Sequence, residues 1–175
     1  MNKLNLNDKV SECSEKEIID ISFHQDLEKL LISHAIIDGM NIAMLRKKNK
    51  KGKLNDILKV YNMLKDSYDT VEIYVDASIR YRIDNKGNLE KLIKDGIIFI
   101  CPAGIMADEL IWKRSTSLTS EGHDIAIITN DMFPVTKYSP TFHKLKNITV
   151  SILNTGEVYM IERDLNRLYH RLHDR

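Results

Sequence analysis

Three aspartates stand where apolar runs end. Asp38 follows His34-Ala35-Ile36-Ile37, Asp76 follows Tyr74-Val75, and Asp131 closes Ile127-Ile128-Thr129-Asn130. In an open α/β sheet the ligand crevice lies beyond the carboxyl ends of the strands, so these acids are expected at one mouth. A fourth, Asp108, sits with Glu109 at the start of a predicted helix near Ala107, above that same edge. Carboxylates about 5 Å apart repel by roughly 3 kcal/mol per pair at an effective dielectric near 20, so such a group calls for a proton or a cation. With oxygen donors and no cysteine or histidine cluster, Mg2+ or Mn2+ suits it better than zinc. An ion held there would orient a water, lower its pKa and offset charge on a phosphate as its ester bond breaks.

Each residue also has a plainer role. Asp38 before Gly39 could be a turn residue, but an acid ending a buried strand is costly, which favours function. Asp108 could be a helix cap. Asn41 could close a local turn, or hold a catalytic water or a metal-bound carboxylate, and the second reading is preferred. Asn130 is a further candidate for positioning water or ligands. Asp124 precedes its strand and belongs at the opposite edge. Trp112 and Met106 read as packing, and His123, His143 and His170 as surface or core residues.

Cations flank the acids. Residues 46 to 53 read Arg-Lys-Lys-Asn-Lys-Lys-Gly-Lys, six cations in eight positions, taken as an exposed loop in which Lys47, Lys48 and Lys50 could contact phosphates. Arg80 and Arg82 follow the second strand and could grip phosphate, while Tyr81 between them stacks on a base.

The elements that must hold these residues follow from apolar patterning. Ser14 and Glu17 form a capping box for a helix reaching about Leu31. The strand ending at Asp38 comes next. Leu54, Ile57, Leu58, Tyr61 and Leu64 make a helical stripe, and Val71 to Val75 a second strand. A helix over residues 88 to 95 stops at Gly96, followed by a strand over Ile97 to Cys101, the Asp108 helix and a strand over Ile125 to Thr129. Alternation of this kind implies parallel strands, right-handed crossovers and helices on both faces of the sheet. Ile148 to Ile152 and Val158 to Met160 alternate around Asn154-Thr155-Gly156 as a hairpin, and a charged helix from about Asp164 ends the chain.

The 175 residues are 43% hydrophobic and 29% charged with net charge +1, which describes a soluble single domain with no general attraction for polyanions. Its two cysteines, Cys13 and Cys101, make no disulfide framework, and a reducing, cytoplasmic setting is expected. No signal peptide or membrane span is evident.

Taken in order, Asp38-Gly39-Met40-Asn41-Ile42-Ala43, Asp76-Ala77-Ser78-Ile79-Arg80, Ala107-Asp108-Glu109-Leu110-Ile111 and Ile127-Ile128-Thr129-Asn130-Asp131 resemble the motifs of Regnase-type NYN ribonucleases, a branch of the PIN-like nucleases. The likeness runs from about residue 34 to 161, leaving 1–33 as an extension with a helix and 162–175 as a terminal helix. It implies a metal-dependent endoribonuclease in which Asp38, Asp108 and Asp131 bind the ion, Asn41 supports them and Arg80 handles RNA, preferentially single-stranded or in loops. Some positions depart from the family pattern. Ile79 stands where a tryptophan is usual, Ala107 where a second acid often precedes Asp108, and Val135 where a further acid is common; fewer ligands imply either a single metal ion or substitution by Glu109 or Asp76. Relatives form homodimers, which makes a homodimer an expectation here too. The competing classes are a non-catalytic RNA- or metal-binding module, a DNA nuclease using the same acids, and, ranked third, a phosphatase, whose Asp-x-Asp motif the first strand lacks.

Overall fold

The structure, a computed structural model, describes residues 32–46, 51–131 and 145–163. The expected helices before residue 32 and after residue 163 lie outside the described residues, as do Lys47, Lys48 and Lys50.

Strand β1 (Ser33–Asp38) occupies the middle of a six-stranded sheet. On one side come β2 (Thr70–Val75) and then β3 (Ile98–Ile100); on the other come β4 (Asp124–Ile128), β5 (Lys146–Ile152) and β6 (Val158–Arg163). All neighbours pair parallel except β5 and β6, which form the expected hairpin, longer than its apolar alternation suggested. Register places Asp38 opposite Tyr74 and Ser33 opposite Asp124, so Asp38 and Asp124 do stand at opposite edges.

Helices cover both faces, which is why β1 reads as a continuous apolar run. Ala35 and Ile37 face a core shared with Ile57, Val60, Ile73 and Ile128, under helix α2 (Leu54–Leu64). Ile36 faces the other core, with Ala107, Ile111, Leu118, Ile125 and Ile127, under helix α5 (Ala107–Ser120). The buried stripe of α2 is Leu54, Ile57, Val60 and Leu64, with Leu58 and Tyr61 packed at its margin. Helix α4 (Lys86–Lys94) begins where Asn85 accepts from the Asn88 amide and ends before Gly96, whose φ of 72° is the left-handed geometry of a helix stop.

Two short helices escape sequence patterning because six or four residues carry no readable period: α1 (Gly39–Met44) and α3 (Ile79–Arg82). The basic segment is also less exposed at its ends than expected. Arg46 is ion-paired with the fully buried Asp56 and donates to the Leu153 carbonyl at 2.7 Å, tying the end of α1 to α2 and the hairpin turn. Gly52 is buried against Ala43, donates to Arg82 O at 2.6 Å and accepts from Asp84 N at 3.1 Å. Both ends of the charge run are therefore fixed to the scaffold. Among the described residues no helix is long and apolar enough to cross a membrane.

Candidate active site

The site begins with Asp38. One carboxylate oxygen accepts from the Asn41 amide at 3.0 Å and so starts α1 directly at the end of β1; the other accepts from the Thr129 hydroxyl at 3.1 Å. The strand passes into the helix without a loop because Gly39 allows it. A Cβ there would lie 2.6 Å from Val75 Cγ1 and 2.8 Å from Ile73 Cγ2, inside β2. Only 2% of Asp38 is exposed, and its carboxyl is pushed up to about 7. Burial is the largest cause, the charges of Asp108 and Asp131 add to it, and the bonds from Asn41 and Thr129 pull the other way.

Asp131 is held by a separate set of contacts. Beyond β4 the chain turns through Thr129, Asn130 and Asp131, and the Asp131 amide donates to the Thr129 hydroxyl oxygen at 3.1 Å. Thr129 thus joins Asp38 to Asp131. Asn41 braces the same turn, since its side-chain oxygen accepts from the Asn130 amide at 3.0 Å. This tertiary contact joins α1 to the turn after β4, and Asn41 also lines the cleft. The Asn130 carboxamide is also turned to a structural purpose: it donates to Val150 O and accepts from Val150 N, both at 2.7 Å, extending the sheet toward β5. From β6, Arg163 reaches the carbonyls of Thr129, Asn130 and Asp131.

Asp76, at the end of β2, accepts from the Ala107 amide at 2.7 Å. It serves as the missing cap of α5, because Met106 at the cap position contributes no side-chain bond. Asp108 follows one residue into that helix. Asp38, Asn41, Asp76, Asp108 and Asp131 all line one open cleft of about 360 Å³, with Met40, Met44, Leu45, Met106 and Ala107 completing its wall. Met106 is 56% exposed at the rim rather than packed.

Other expected residues are not among those lining the cleft. Glu109 pairs with Lys113 at 2.7 Å and is not among the residues lining the cleft. Arg80 forms an exposed two-bond ion pair with Glu90, at 2.7 and 3.2 Å, and Arg82 lies exposed on the same short helix. Tyr81 is 79% exposed, with the Lys86 ammonium 5.8 Å from its ring centre. Sequence patterning missed Thr129 and Arg163. The first is one polar residue at the end of an apolar run, and the second carries no local signal at all.

The donor set suits a hard divalent cation: four carboxylates line the cleft, and ionisation of the buried one is opposed chiefly by its burial and further by its acidic neighbours. Among the described residues no group of three or more acid, histidine or cysteine side chains is already arranged to hold a metal.

A mostly parallel sheet with helices on both faces, a closing hairpin and acids gathered at the carboxyl ends of its strands has the architecture of the PIN-like nucleases. The chain matches the Zc3h12a-like ribonuclease NYN domain over residues 31–167 and belongs to that family. Among solved structures it is similar to nuclear protein-only RNase P 2 of Arabidopsis thaliana, with a TM-score of 0.56 and 16% identity over 83% of this chain. It spans 33% of that protein, and a likeness at this identity concerns the fold. No curated protein matches it.

Proposed function

We propose that this protein is a metal-dependent endoribonuclease that hydrolyses RNA phosphodiester bonds in the cleft lined by Asp38, Asp76, Asp108 and Asp131. The observation that carries this reading is the convergence of those four acids, from three strand ends and one helix start, on a single cleft in a chain of the ribonuclease NYN family.

A bound Mg2+ or Mn2+ would make a water nucleophilic near neutral pH and offset charge on the phosphate. Asp38, Asp108 and Asp131 are the residues that would hold it. Asp38 must give up its proton to do so; burial opposes that loss, and the charge of a bound cation would favour it. Thr129 keeps the ionised carboxylate hydrogen-bonded, and Asn41 and Asp76 fix the two backbone segments that carry Asp131 and Asp108. Arg80 and Arg82, with Lys47, Lys48 and Lys50, supply phosphate contacts. An exposed, solvent-screened pair such as Arg80–Glu90 holds its partners only weakly, so Arg80 can exchange Glu90 for a phosphate. We also place the protein in the cytoplasm.

A second reading, a binding module that does not cut, is favoured by the lack of a preassembled three-ligand group among the described residues. One experiment separates the two. End-labelled single-stranded RNA and matched DNA are incubated with wild type and Asp38→Asn in Mg2+, Mn2+ or chelator. RNA cleavage that needs the ion and disappears in the variant supports the ribonuclease. Cleavage of DNA alone reassigns the substrate, and binding without cleavage at high protein concentration supports the module.

A further inference from the structure

We propose that Arg163 is a positioning residue for Asp131, which makes the carboxy-terminal hairpin a working part of the site. The inference rests on the reading of Asp131 as a ligand of the divalent cation.

The turn that carries Asp131 lies past the last β4 residue, where the parallel ladder runs out. Each of its backbone polar groups nevertheless has a partner. The Thr129 amide donates to Ile148 O at 3.0 Å, the Asn130 amide to the Asn41 side chain at 3.0 Å and the Asp131 amide to the Thr129 hydroxyl at 3.1 Å. All three carbonyls are served by one side chain. Arg163 Nη2 lies 2.6 Å from Thr129 O and 3.3 Å from Asp131 O, and Nη1 lies 3.5 Å from Asn130 O. Three acceptors on successive residues, met by one planar group, determine where the backbone of Asp131 stands. A lysine, a point charge with no fixed fork, could not reproduce this.

The arrangement serves position more than stability. A guanidinium partly removed from water gives up hydration, and among these contacts it meets carbonyl oxygens rather than a carboxylate, so the return in folding energy is small. What the contacts secure is the placement of an acid at the rim of the cleft. Groups that orient metal ligands in this way typically change metal affinity 10- to 100-fold when removed.

The test is a double-mutant cycle in the full chain, using Arg163→Met, Arg163→Lys, Asp131→Asn and the combined Arg163→Met/Asp131→Asn. Mn2+ binding is followed by the electron paramagnetic resonance signal of the free ion, and thermal midpoints are taken in chelator. Arg163→Met is expected to weaken Mn2+ binding about 10- to 100-fold, Arg163→Lys to restore only a small part of that, and Arg163→Met to cause no further loss in the Asp131→Asn background. Coupling of this kind separates positioning from general loosening of the fold, which would weaken binding by the same factor in both backgrounds. Equal losses in the two backgrounds, or wild-type affinity in Arg163→Met, would overturn the proposal. If Arg163→Met does not fold, the same cycle is run with Arg163→Lys. Wild-type Mn2+ affinity in Asp131→Asn also overturns it, whereas the nuclease reading itself falls only if the wild type cuts no RNA with either ion.

Discussion

The Asp38 carboxylate and the Thr129 hydroxyl, far apart in the chain, meet at 3.1 Å in the interior of the protein. The contact couples the ends of two adjacent parallel strands, β1 and β4, and passes through Thr129 to the Asp131 amide. An acid so enclosed is costly to ionise, and the cost gives the first prediction its sign.

Asp38 has a folded-state pKa of about 7 against an ordinary value of 3.8. Between those values the folded chain keeps a proton that the unfolded chain has lost, so raising the pH through this window favours unfolding. Above pH 7 the penalty is complete and on the order of 4 kcal/mol. Asp38→Asn keeps an acceptor oxygen for the Asn41 amide and cannot ionise. In chelator at pH 8 the variant should therefore unfold at higher urea than wild type while being inactive, and the gap should close as the pH falls toward 4. A gap that does not vary with pH would contradict the assignment.

Asp76 carries two roles that substitution can separate. Asp76→Asn keeps an oxygen for the Ala107 amide, whereas Asp76→Ala leaves the first turn of α5 uncapped. The alanine variant should lose about 1 kcal/mol of stability and, through the displaced Asp108, at least about tenfold in kcat on RNA. The asparagine variant should melt near wild type. Its residual activity in the same assay then reports what the charge alone contributes to the cleft.

The Arg46–Asp56 pair fastens the end of α1 to α2. Asp56 is fully buried, and one of its oxygens accepts from Arg46 Nε at 3.0 Å. Removing one partner strands the other charge, so Arg46→Met should cost about 3 to 5 kcal/mol in urea unfolding. Arg46→Met/Asp56→Leu should recover most of that. Recovery is the decisive observation, because it separates an unpaired charge from lost packing.

Gly39 has no room for a methyl group. Its Cβ position meets two branched side chains of β2 and lies 3.1 Å from Tyr74 O. Gly39→Ala is expected to destabilise by about 1 to 3 kcal/mol. Adding Val75→Ala, which removes the atom at 2.6 Å, should return part of it. Circular dichroism melts of the single and double variants are sufficient to check this.

Much of the fold can be read from the chain because its strands are buried on both faces and appear as unbroken apolar runs, as in Ala35-Ile36-Ile37 and Ile125-Ala126-Ile127-Ile128. Three of the four cleft acids were recoverable for the same reason, since a parallel sheet carries whatever follows its strands to one edge, and Asp108 was recoverable from its place at a predicted helix start above that edge. Short helices such as α1 are not recoverable in this way. Its start depends on a contact between Asp38 and the Asn41 amide that no periodicity announces. Glu109 shows the limit from the other side. It neighbours Asp108 in sequence, yet the next residue of a helix is turned by about 100°, and Glu109 pairs with Lys113 one turn on.

By itself, then, the sequence determined the α/β alternation, the sheet edge at which the acids gather and the family to which the chain belongs, because these depend on local pattern and on residue types within short motifs. The tertiary structure alone decided how the acids are held. Asn41 braces Asn130, Thr129 bridges Asp38 and Asp131, and Arg163 reaches back from the last strand to the end of the fourth. All but the Thr129–Asp131 bond among these join residues many positions apart. A polar side chain acquires its partner only when the sheet order brings two distant strand ends together, and that order depends on global packing.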